Sequence, residues 1–222
     1  WASQRGHIPV VKYLVEKGAD INIQDRDGDT ALSVAVRVNN IPLVKYFIEK
    51  RINLDTRHNN GRTALDWAIN EKKEEIAVEL AKAGAAPNLS IIHDLLVIYA
   101  RAGIYNKVKE AIENNAFVNH KYAGVTALVW AGFYGYTEIV NLLVEKGADI
   151  NMQDKDGDTA LICSALNGHL NVVELLLNKN ANVKLKNNTG TNALIAAIGG
   201  RVNPTVVRSL INSGCDLNVK AS

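Results

Sequence analysis

Sulfur is scarce in this chain, which has two cysteines and one methionine in 222 residues. Cys163 and Cys215 carry neither a CxxC pair nor a Cys/His ligand spacing, and a reduced cytoplasmic compartment is the simpler expectation. Long apolar runs are missing too. The longest lies near Leu95 to Ala100, far short of the ~20 residues a membrane span needs, and no signal-peptide pattern opens the chain; no membrane insertion is expected. Charge is not one-sided, with 25 basic and 23 acidic residues giving a net +2. That balance speaks against nucleic acid as a partner, which would call for a basic excess. No glycine-rich phosphate loop is present, and His7, His58, His93 and His120 show no metal-ligand spacing among themselves.

What the chain has in abundance is itself. Val11–Val36 reads VKYLVEKGADINIQDRDGDTALSVAV and Val140–Ala165 reads VNLLVEKGADINMQDKDGDTALICSA, identical at 18 of 26 positions. A finer period appears in the glycines, since Gly28 and Gly61, Gly124 and Gly157, and Gly157 and Gly190 are each 33 residues apart. A fixed step of this size marks a stacked array. In such an array each unit contacts its neighbours, and function lies along an extended surface.

One unit shows how the step is built. Asp156-Gly157 is a turn dipeptide and predicts a hairpin tip. Thr159 then stands where a helix N-cap belongs, and the same slot holds Thr30, Thr63, Asp94, Thr126 and Asn192. A short helix runs through Leu161 and Ala165 and breaks at Gly168-His169. The second helix carries Val172, Val173, Leu175, Leu176 and Leu177, an arc broad enough to need cover on two sides. Pro9, Pro42 and Pro204, three of the four prolines, mark equivalent helix starts, where the missing N–H costs little.

These residues carry a resemblance to the ankyrin repeat family. GDTALxxA, GHxxVVxLLL and GADIN are similar to that family's hairpin, helix, helix and loop, over nearly the whole chain. Ala31, Ala64, Ala127, Ala160 and Ala193 stand where the family often has proline, a helix-compatible departure. The resemblance implies an all-α solenoid of helix-turn-helix units with β-hairpin-like loops.

Two stretches depart from the period. Gly61–Ala85 places Glu79 and Lys82 at usually apolar or small positions and looks like a family C-terminal cap. Ile91–Asn119 lacks the hairpin glycine and resembles a unit that begins an array. Pro87-Asn88-Leu89-Ser90 lies between them. Two arrays are expected, residues 1–86 (a partial repeat and two more, the last cap-like) and 91–222 (about four repeats), with one continuous stack containing a degenerate unit as the alternative. Trp1 to His7 reads as the end of a first helix, and Cys215 to Asn218 leads toward a further hairpin, so the chain reads as part of a larger protein.

Several constellations invite chemistry and fall short of it. Asp25-Arg26-Asp27-Gly28-Asp29 and Asp154-Lys155-Asp156-Gly157-Asp158 resemble the start of an EF-hand loop. The sixth and twelfth positions hold Thr30 and Val36, or Thr159 and Ala165, where calcium binding needs glycine and glutamate. Cys163 and His169 are read as core thiol and turn residue. No cofactor, metal or catalytic residue is expected, and Trp67 and Trp130, in the same slot of their units, are assigned to packing.

The resemblance places Tyr122 at a hairpin tip, Val125 beside it, Phe133 and Tyr134 at the end of a first helix and Leu166 on the next unit, along one concave stretch. As solvent-facing apolar groups they are the expected partner-binding surface, with Arg26, Asp27, Asp29, Arg37, Lys155, Asp156 and Asp158 as a charged rim. The alternative is that Phe133 and Tyr134 fold back over missing volume at Gly132. The expected function is a monomeric scaffold binding another protein, without catalysis. The competing reading is the targeting arm of an enzyme, channel or secreted effector.

Overall fold

The computed structural model describes residues 2–86 and 91–215; Trp1, the Pro87–Ser90 stretch and the Asp216–Asn218 segment lie outside them. By proximity the chain divides into two units, Trp1–Ile91 and Ile92–Ser222. In the first, α1 (Ile8–Glu16) is followed by the pairs α2 (Ala31–Arg37) with α3 (Ile41–Glu49) and α4 (Ala64–Asn70) with α5 (Glu74–Lys82). The second holds four pairs: α6 (Ile92–Ala102) and α7 (Tyr105–Glu113), α8 (Ala127–Tyr134) and α9 (Thr137–Glu145), α10 (Ala160–Leu166) and α11 (Leu170–Asn178), α12 (Ala193–Gly199) and α13 (Pro204–Asn212). Within it first helices pack on first helices, α6 to α8 to α10 to α12, and second on second, α7 to α9 to α11 to α13. Among the described residues the only sheet is one two-stranded ladder, β1 (Lys121–Tyr122) against β2 (Val125–Thr126).

Local signals set most of these boundaries. Thr30, Thr63, Thr126, Thr159 and Asn192 each cap a first helix by accepting a hydrogen bond from the backbone N–H three residues on, an interaction that contributes roughly 1 kcal/mol at such sites. Thr30 and Thr63 close full capping boxes with Ser33 and Asp66. Pro9, Pro42 and Pro204 all occupy the first turn of their helices. Asp94 departs from the expected slot. Helix α6 begins earlier, Asp94 lies inside its first turn, and its carboxylate is held by His120 Nε2 at 2.7 Å. Without a glycine tip before it, the helix extends backward.

Each first helix contributes a buried leucine from the same place: Leu32, Leu65, Leu96, Leu128, Leu161 and Leu194. In α11 the buried residues are Val172, Val173 and Leu176, while Leu175 and Leu177 are half-buried at the edges of the arc; its cover comes from α10, α9 and α13. Glu79 of α5 reaches back toward Lys45 of α3, Oε1 to Nζ 3.8 Å, so this acidic group is engaged within its own unit.

Candidate functional site

The tips come first, because they position everything beside them. At Asp154–Asp158 the Asp154 carboxylate accepts from the backbone N–H of Asp156 at 2.9 Å and of Asp158 at 2.8 Å, folding the acidic segment around one side chain. Gly157 sits at φ 80°, and a Cβ there would lie 2.8 Å from Asn188 N; the position needs glycine for both conformation and space. Neighbouring tips are tied together, Lys155 N–H donating to Gly124 O and Asn188 N–H to Asp156 O, each at 3.0 Å. Lys155 and Asp156 are exposed and Asp158 is half-buried.

Behind the tips, α8 carries an aromatic ladder. Trp130 and Tyr134, four residues apart on one face, stack with centroids 5.9 Å apart and planes 20° apart. Tyr136 continues the stack on Tyr134 at 5.7 Å, and Phe133 meets Trp130 and Tyr134 edge-on. The Arg101 guanidinium caps the ladder 4.2 Å from the Trp130 ring centroid, a cation–π contact. Tyr134 keeps 41% of its surface exposed, and Leu166 on α10 keeps 38%. Burial, reinforced by the neighbouring Tyr134 phenol, pushes the Tyr136 hydroxyl above its usual pKa.

Phe133 is different from Tyr134. Together with Trp130 it packs against the buried cluster of Val125, Val129 and Cys163, and its carbonyl lies 3.0 Å from His169 Nε2. Since a carbonyl only accepts, that nitrogen carries the proton. The Cys163 thiol is pushed far up in pKa by burial and then by Asp158, Asp154 and Asp156, which disfavours the thiolate that nucleophilic or metal chemistry needs.

Three expectations are corrected. Tyr122 and Val125 are not solvent-facing: they are 4% and 7% exposed, because as the register pair of the β1–β2 ladder they share one face, and Val125 turns into the cluster under Phe133. Asp29 is not a rim group but buried, ion-paired with Arg37. The volume expected to be missing at Gly132 does not exist either. A Cβ there would come within 2.9 Å of Ala160 O, so the glycine lets α10 approach and nothing needs to fold back.

The remaining expected residues fall into the two units. Arg26, Asp27 and Arg37 are exposed in the first, where the backbone N–H of Asp29, and to a smaller degree that of Asp27, hold the Asp25 carboxyl below its usual range. Lys155, Asp156 and Asp158 are in the second, with Phe133, Tyr134 and Leu166. Sequence reasoning missed Arg101, Tyr136 and His169 as neighbours of this surface. The four-residue spacing of Trp130 and Tyr134 was a usable signal for the stack; the approach of Arg101 from the preceding repeat was not.

No curated protein gives a significant match to the chain. A profile described as "Ankyrin repeats (3 copies)" matches residues 1–91, 93–154 and 147–221. With its paired helices, capped starts and tied tips repeated in register, the chain belongs to the ankyrin repeat family, whose repeats are in general protein–protein interaction modules.

Proposed function

We propose that this chain is a protein-binding scaffold whose recognition surface in the second unit is centred on Tyr134 and Leu166, with Lys155, Asp156 and Asp158 as its charged rim. The observation that carries this reading is the pairing of a rigid backing with an open front. Tyr134 is stacked by Trp130 and by Tyr136 yet is 41% exposed, and Leu166 on α10, the helix packed against α8, is 38% exposed. A pre-ordered aromatic loses little conformational freedom on binding and is a common anchor of interfaces. Phe133 supports this surface from below, and the rim supplies orientation and on-rate more than affinity. No chemistry is assigned to these residues, and residues 1–86 and 91–222 are read as separate arrays.

The test separates the front from its support. Tyr134→Ala with Leu166→Ala is expected to abolish capture of a partner protein while leaving the melting temperature nearly unchanged. Phe133→Ala is expected to lower melting, at a cost of roughly 1 to 2 kcal/mol, less than for a fully buried aromatic because Phe133 is only partly buried. Undiminished capture by the Tyr134/Leu166 double variant would overturn the assignment.

A further inference from the structure

The two copies of the duplicated segment differ at the partners of one carboxylate. In the first copy Asp29 is buried and well supplied. The Arg37 guanidinium forms an ion pair with it, Ser33 Oγ–H donates to it at 2.9 Å, and His58 Nε2 lies 3.9 Å from Oδ1. The second copy keeps the carboxylate as Asp158 and replaces all three partners. Ile162 stands for Ser33, Leu166 for Arg37 and Asn187 for His58. Among the described residues only the Asn187 side-chain amide reaches the Asp158 carboxylate, donating at 2.8 Å, and no cationic side chain pairs with it.

Asp158 is nonetheless partly withdrawn from water. Burial raises its pKa against the opposing Asn187 hydrogen bond, and Asp154 and Asp156 raise it further. A partly desolvated carboxylate with one neutral donor is stabilised by any cation that arrives in the right geometry. The space such a cation would use is known from the first copy, where a guanidinium enters from the last turn of the first helix. In the second copy that position is the half-exposed Leu166, at the end of α10, the helix that packs on the α8 carrying Phe133 and Tyr134.

We propose that Asp158 receives an arginine side chain from the partner protein, its guanidinium taking the place that Arg37 holds on Asp29, while Tyr134 and Leu166 pack the apolar residue beside it. This rests on the protein-binding reading above and narrows the partner to a segment with arginine next to a leucine or an aromatic. Arginine suits the site better than lysine because its planar fork can bind a carboxylate bidentately and lie against an aromatic face.

The probe is a random peptide library displayed on phage and selected on the full chain, with each enriched peptide remade carrying citrulline, the neutral isostere, in place of arginine. Enriched peptides are expected to share an arginine flanked by an apolar residue, and citrulline is expected to weaken binding about tenfold, the worth of one charge-assisted hydrogen-bond pair. Asp158→Asn should erase the arginine–citrulline difference. Leu166→Arg, which supplies the guanidinium from within the chain, should block binding without lowering the melting temperature. Peptides that tolerate citrulline but are weakened by Tyr134→Ala would overturn the arginine proposal and leave the surface in place. Peptides indifferent to both Tyr134→Ala and Asp158→Asn, or no enrichment at all, would overturn both.

Discussion

Val11–Val36 and Val140–Ala165 are near-copies in sequence, and the structure uses them differently. Both tips fold around the first aspartate, with Asp25 and Asp154 each accepting from the backbone two and four residues on. Both following helices are capped by threonine. The divergence comes from one position inside the copied stretch, Ser33 against Ile162, and two outside it, Arg37 against Leu166 and His58 against Asn187. In the first unit these side chains close the carboxylate into an internal network, and in the second they leave it half-open beside an apolar surface. A repeat can thus keep its fold while its surface changes from structural to available, because the residues that decide this lie one or two helical turns or one repeat away.

The strongest way to break the comparison is in the shared core. Leu32 and Leu161 occupy the same slot and are both fully buried, so Leu32→Ala and Leu161→Ala are each expected to cost ~2 to 5 kcal/mol, measured by urea unfolding. If the two units unfold separately, each variant lowers only its own transition, and a single transition lowered equally by both would favour one cooperative stack.

A smaller effect should come from making the first copy resemble the second. Arg37→Leu leaves Asp29 buried with Ser33 Oγ as its remaining close donor, and is expected to destabilise by roughly 1 to 3 kcal/mol, the range for a buried polar group that loses a partner. The reciprocal Leu166→Arg is expected to stabilise by no more than about 1 kcal/mol, because that side chain lies at the surface. Equal and opposite effects would show that the two carboxylates are equivalently buried after all.

The smallest effect is one of pH. Burial raises the Asp158 pKa in the folded chain, so the folded protein holds that proton to higher pH than the unfolded chain does. The stability associated with it is fully present below the ordinary carboxylate pKa and is lost as pH rises through the folded value. Thermal melts across the acid range should therefore show wild type losing stability relative to Asp158→Asn over that window, with a constant difference above it. A difference that runs the other way would mean that Asp158 already has a cationic partner.

How far the sequence can be read depended on the range of the interaction concerned. Thr30, Thr63, Thr126, Thr159 and Asn192 were readable as caps because a cap acts over three residues. Asp94 was not, since its partner His120 comes from beyond α7. Tyr122 and Val125 read as exposed tip residues, yet a two-residue ladder turned them inward together. Gly132 looked like a gap in α8, and only the position of Ala160 explains it as a point of close approach. Tyr134 and Leu166 were read as exposed and are so.

The repeat family, the helix pairs, the tips and the buried leucine of each first helix follow from signals within a single 33-residue step, where turn chemistry, capping and apolar spacing all point the same way. The partners of Asp29 and Asp158, the stacking of Tyr134 between Trp130 and Tyr136, and the burial of Tyr122 were decided by the tertiary structure. Each depends on which side chain a neighbouring turn or repeat brings within a few ångströms, and charge pairing and burial are determined at that distance and not by the identity of the residue alone.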